Sequence, residues 1–344
     1  RVSTPWTRED ARTLAALAAA GLIFVAALLL ATTPPDALTA LDPQAVTRYN
    51  LIAGSIGIVS ALLVTATSVV MARKYPGASG VALAHTVPLL TAAAALRLSQ
   101  SHWDTAGWGW TGLGLLIGAL AVLTLPKRYR ISIAAPLVVG TVLAATGLLV
   151  RLGQLSQAGI SAILFALIIV LLQVAPWIAL AHIPVRILDA DTTEQIPAKG
   201  ITDQVSNSFV FVVALRSGGA VAAIFLTISL MTAPEMRSVS LPLTLLMLGA
   251  VSLVLQTRSI RARVEVLLGA LSGLIVILVA TVLGAYADPR TMPWLTLSAI
   301  ATALVLVVTN VVGPRARPHL TRIADTVSVL SLFVLLPLAV YLWS

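Results

Sequence analysis

The side chains able to do chemistry in this 344-residue chain are few, and they are spaced wrongly for most of it. His85, His102, His182 and His319 are the only histidines and lie far apart in sequence. They form none of the short-range pairs that metal sites draw on, and neither HExxH nor GxSxG occurs. Cysteine is absent, which removes disulfides, thiolate ligands and thiol nucleophiles together. The three lysines, Lys74, Lys127 and Lys199, are followed by Tyr, Arg and Gly, so no phosphate-cradling GxxxxGK[ST] loop exists. The expectation is a chain with no catalytic residues, no cofactor and no bound metal, which does not hydrolyse ATP through a P-loop.

What such a chain does instead depends on its elements. Apolar residues make up 58% and charged residues 10%, against about 45–50% and 25% in a soluble domain. Apolar runs fall at 11–31, 51–72, 81–96, 110–125, 131–150, 159–181, 209–231, 241–255, 264–286, 294–312 and 326–343. Strands of a membrane barrel alternate apolar and polar residues, whereas these runs are apolar on every face and are therefore helical. The fold class expected is an all-α integral membrane protein, a polytopic bundle of eleven transmembrane helices. Its organisation is an entry segment 1–10, helices one to six over 11–181, a loop 182–208, and helices seven to eleven over 209–344.

Orientation follows from Lys and Arg, which concentrate in cytoplasmic loops. With the N-terminus inside, 17 of the 22 basic residues fall on inside segments, and Arg48, Arg97, Arg151, Arg237 and Arg290 fall one to each outside loop. The N-terminus is thus expected to be cytoplasmic and the C-terminus outside. Trp103, Trp108, Trp110, Trp294 and Trp343 then sit at the outer interface. The net charge of +9 is accounted for by this loop asymmetry, so nucleic acid is not an expected partner. The chain starts at Arg1 without methionine, and its first apolar run has no cleavage-type ending. It is expected to be a retained helix of a truncated chain.

Few polar groups lie inside the runs. His85, Gln173 and Asn310 are each alone in theirs, and every charged residue can be placed at a loop or helix end, with Arg216 the deepest and Glu265 opening the ninth run. Without midplane charge, the spans are expected to form walls for self-pairing and lipid contact, not a polar channel within one subunit. Gly114 with Gly118, and Gly269 with Gly273, are candidates for close helix packing. Pro88 and Pro337 are expected to kink their spans. The one large surface outside the membrane is the inside segment 182–208, with Arg186, Asp189, Asp191, Glu194, Lys199 and Asp203 as candidate partner-binding residues. Ile201, Val205, Phe209 and Val212 follow helical spacing, so a helix could enter ahead of the seventh span; a solvated loop is the alternative.

Three stretches carry a family resemblance: PWTREDART before the first span, APWIALAHIPVRILDAD at the end of the sixth, and RPHLTRIADTVSVLSLFVLLPLAVYLW at the end. Together they resemble EccD, the membrane component of the mycobacterial type VII (ESX) secretion system. The resemblance implies a non-enzymatic scaffold in the bacterial inner membrane, with its C-terminus periplasmic. The implied partners are a second copy of itself, EccB, the ATPase EccC, EccE and membrane lipids. The family's N-terminal ubiquitin-like domain is expected to be lacking from this chain. The rival readings are a secondary transporter or permease, which needs a polar midplane cavity, and a lipid-acting membrane enzyme, which needs acidic or His residues clustered at one interface.

Overall fold

The computed structural model describes residues 8–31, 43–74, 78–100, 104–125, 130–181, 198–236, 238–256, 263–293, 295–297, 300 and 317–343. Every regular element among them is helical. Nine are long and apolar enough to cross a membrane, and Ser240–Gln256 is a shorter apolar helix. The run expected at 294–312 lies almost wholly outside the described residues. The chain divides into two units, Arg1–Arg151 and Leu152–Ser344.

The first unit holds α1 (Arg8–Ala31), α2 (Pro43–Lys74), α3 (Ala78–Ala84), α4 (Val87–Leu98), α5 (Thr105–Ala119) and α6 (Ala134–Gly153). At 32 residues, α2 is about 48 Å long, well over the roughly 30 Å hydrocarbon core. It begins eight residues before the expected Leu51 and so brings Tyr49 and Asn50 into the helix. Its buried positions, Asn50, Ala53, Gly54, Gly57, Ala61, Ser68 and Ala72, follow three- and four-residue steps and are all small or polar. Leu51, Ile52, Ile56, Leu62 and Leu63 point outward. Lipid is as apolar as leucine, so large side chains gain little by turning inward, while small ones let backbones approach. A Cβ on Gly57 would sit 2.8 Å from the Ala94 Cβ of α4, which measures that approach.

The third span is jointed. Pro88 lies in the first turn of α4, where its missing N–H is not needed, and its ring steers the preceding backbone away from a continuous helix. α3 therefore ends at Ala84, and the Thr86 hydroxyl donates to the Leu83 carbonyl at 2.8 Å across the joint. Pro337, by contrast, lies within a helix that continues through it. α5 starts earlier than the expected 110 because the Asp104 carboxylate accepts from the Gly107 N–H at 2.8 Å and caps it. That extension takes Trp108 into the packed helix, where it is buried, while Trp110 is exposed.

The second unit holds α7 (Gln157–Ala181), α8 (Ala198–Met231), α9 (Ser240–Gln256), α10 (Arg263–Ala287) and α11 (Arg317–Trp343). Phe165, Ile169, Leu226, Leu230, Leu245 and Leu246 are fully buried among these helices. The Phe165 ring occupies a slot opened by Gly249, whose added Cβ would lie 2.4 Å from the ring. α8 has 34 residues, of which Ser208–Met231 are the apolar span. Its first ten residues extend the rod by about 15 Å, so the helix alternative holds for the second part of the 182–208 segment.

Candidate functional site

Among the described residues no group of three His, Asp or Glu could hold a metal. The chemistry of the spans lies instead in two buried arginines and a few interhelical hydrogen bonds. Arg216 stands eighteen residues into α8 and eight past Ser208, about 12 Å along the span from its start. Its Nη1 lies 3.4 Å from Glu265 Oε2 on α10, with the side chains 5% and 11% exposed. The sequence expectation that every charge sits at a loop or helix end is corrected here: the guanidinium is held within the bundle by an acid. Glu265 is in the first turn of α10, where the helix dipole also favours a carboxylate. Arg216 Nε and Nη2 find no partner among the described residues. Removing one member of a buried pair costs about 3–5 kcal/mol, several times the contribution of a single interhelical hydrogen bond.

Four further polar contacts of the second unit join helices, whereas hydroxyls such as Thr227, Ser272 and Ser331 bond back to their own helix. Gln157 Nε2 donates to the Ser229 carbonyl at 2.8 Å, and the Ser161 and Ser229 hydroxyls meet at 2.7 Å, tying α7 to α8. Gln173 Nε2 donates to Ser252 Oγ at 2.7 Å and Gln256 Nε2 to the Leu172 carbonyl at 2.9 Å, tying α7 to α9. Each such bond contributes about 0.6 kcal/mol on average, so they set register more than they set stability. Gln173, alone in its own run, has its partner on another helix.

In the first unit Arg97 is 4% exposed, although it was expected in an outside loop. Its Nε donates to the Leu30 carbonyl of α1, Nη1 donates to Asn50 Oδ1 of α2 at 3.1 Å, and the guanidinium lies 5.6 Å from the Tyr49 ring centroid. One side chain thus joins three helices. His85 makes a local contact, Nδ1 to the Val81 carbonyl at 2.8 Å.

Gly114 and Gly118 lie on the face of α5 turned to α4, where added Cβ atoms would meet the Thr91 carbonyl at 2.5 Å and Thr91 Oγ1 at 2.1 Å. Gly273 lies against α9, 2.6 Å from Val254 Cγ2 and 2.9 Å from the Ala250 carbonyl by the same measure; Gly269 is half-buried one turn before it. A tighter crossing escaped the sequence reading. Gly109 and Gly112 of α5 meet Gly140, Ala144 and Gly147 of α6, and a Cβ on Gly112 would lie 2.2 Å from the Ala144 nitrogen. The signal was present as small residues three and four apart on two successive runs. Gly112→Ala is expected to cost on the order of 1–3 kcal/mol, because backbone cannot rotate aside. Gly21→Ala, with nothing within 4 Å, is expected to be neutral or to gain up to about 1 kcal/mol from helix propensity. Thermal unfolding of the two variants in detergent micelles checks the contrast.

Of the candidate partner-binding residues, Arg186, Asp189, Asp191 and Glu194 lie outside the described residues, as do Asn310, His102 and His182. Lys199 and Asp203 fall on the first turns of α8.

The family model of the EccD-like transmembrane domain matches residues 11–344. Among solved structures, protomer 1 of the ESX-3 core complex is similar with a TM-score of 0.70 and 17% identity, over 99% of this chain and 77% of that one. A chain of the MycP5-free ESX-5 inner membrane complex, state II, is similar with a TM-score of 0.59 and 15% identity, over 87% of this chain and 72% of that one. At these identities the likeness is one of fold. No curated protein matches the sequence.

Proposed function

The chain belongs to the EccD-like transmembrane family, and we propose on that footing that it is a non-enzymatic scaffold subunit of a type VII (ESX) protein secretion complex in the inner membrane. The observation that carries this reading is the match to one membrane-domain family over residues 11–344, joined to a fold shared with chains of two ESX complexes. The internal chemistry supports it. Several polar side chains of the spans join helices, as in Arg97 with Leu30 and Asn50, Arg216 with Glu265, and Gln173 with Ser252. Such groups hold walls in register instead of handling a substrate.

In this reading the subunit pairs with a second copy, assembles with EccB, EccC and EccE type subunits, and leaves energy supply to the ATPase. Its N-terminus is cytoplasmic and its C-terminus periplasmic. The segment 182–208 is the ATPase dock, with α8 carrying its second part as a helical rod continuous with the span. Affinity purification of the intact complex from its native membrane, followed by subunit identification, is expected to recover an EccC-type ATPase with this chain. Recovery of the chain alone, together with solute flux in proteoliposomes, would replace the scaffold by a transporter.

A further inference from the structure

We propose that the groove between α1 and α2 holds one acyl chain of an anionic phospholipid whose phosphate is bound by Arg97. The groove encloses about 540 Å³ and is lined by Ile23, Ala26 and Leu30 of α1 and by Tyr49, Ile56 and Leu63 of α2, among others. From Tyr49 to Leu63 the helix rises about 21 Å, against about 15 Å for one leaflet's hydrocarbon. The groove therefore has the length of a lipid tail.

Its Tyr49 end carries the charge. Arg97 donates to the carbonyl of Leu30 and packs against the ring of Tyr49, and both residues line the groove. Its Nη2 is buried without a partner among the described residues, and the one ion pair among them is that of Arg216 with Glu265. Among the described residues Arg97 thus has no counter-charge, which is costly for a buried guanidinium, and its planar fork matches phosphate oxygens. Tyr49 is 36% exposed and is both a wall of the groove and the ring against the guanidinium, so tail site and headgroup site adjoin at this residue. Arg48, next to it and exposed, adds positive charge. The balance among the described residues favours a headgroup of net negative charge over one that brings its own ammonium. The inference rests on the membrane fold and not on the secretion reading, and its test needs no secretion partner.

The test is native mass spectrometry of the full chain, purified in mild detergent and doped with phosphatidylglycerol or with phosphatidylcholine of the same acyl chains. The wild type is expected to retain one phosphatidylglycerol per chain with a preference of about tenfold, the size of effect one charge-assisted contact supports. Arg97→Gln is expected to bring that preference to about one. Ala26→Phe, which fills the groove away from Arg97, is expected to lower retention of both lipids while keeping the wild-type unfolding midpoint in lipid-free detergent. If Arg97→Gln does not fold, Arg97→Lys keeps the charge without the fork and is expected to lose most of the preference. Equal retention of the two lipids by the wild type overturns the proposal, as does unchanged retention in Ala26→Phe. Displacement of the lipid by inorganic phosphate alone would mean an anion site without a tail groove. A dimer mass that becomes monomeric in Ala26→Phe would mean that the groove seats a second copy.

Discussion

Glu265→Gln is expected to destabilise the protein by about 3–5 kcal/mol, because it leaves the Arg216 guanidinium in the bundle without its counter-charge. The substitution keeps the shape of the side chain, so packing around α10 is preserved and the loss is electrostatic. Arg216→Met is expected to be harmful for the mirror-image reason: it strands a carboxylate that is 11% exposed. The double variant, Arg216→Met with Glu265→Leu, separates the two costs. Apolar groups of similar volume frequently replace a buried pair with no loss, or with a gain of about 1–4 kcal/mol. The double variant should therefore be more stable than either single one. Unfolding midpoints of the four proteins in the same detergent form the cycle. Single variants indistinguishable from wild type would show that water or lipid headgroups solvate both charges and that the pair is not a clamp.

That pair also shows what could and could not be foreseen from residues in order. Arg216 as the deepest cation and Glu265 as the acid opening the ninth run both stand in the sequence, and both belong to the same membrane side under the charge alternation. What joins them is the packing of α8 beside α10, a relation between runs that hydropathy does not encode. The same reason hides Arg97. Its site needs Asn50 and Tyr49, and these enter only because α2 begins at Pro43, well before its apolar stretch. Gly112 with Ala144, and Gly109 with Gly147, meet across two helices that are each unremarkable alone. Features that depend on local chemistry were legible: the helical nature of the runs, the Pro88 joint, and a stripe of Ile201, Val205, Phe209 and Val212 that falls on one continuous helix. The burial of Trp108 was not legible, because it depends on the Asp104 cap that starts α5 ahead of its apolar stretch.

Simultaneous charge reversal of Asp189, Asp191 and Glu194 is expected to release the partner ATPase while the membrane domain still inserts and pairs. The motor's fuel is cytoplasmic, so under the proposed orientation its dock must be an inside segment. The other inside segments are short and mostly basic, which suits anionic lipid headgroups. Only 182–208 offers both charge signs and length. Within it, Lys199 and Asp203 stand four positions apart on the helical backbone of α8, and their formal charges sum to zero. The three acids ahead of them have only Arg186 nearby, so the segment presents net negative charge before the rod begins. A basic surface on the ATPase is the complementary partner. Exposed pairs contribute about 0–1 kcal/mol each, so single alanines should be mild, whereas reversing three turns each attraction into repulsion. Co-purification at moderate salt, with the ratio of ATPase to membrane subunit quantified, is the measurement. The triple variant should lose most of the ATPase and keep its own dimer. A full complement of ATPase on that variant would remove the segment from the interface and leave it as a solvated connection between α7 and α8.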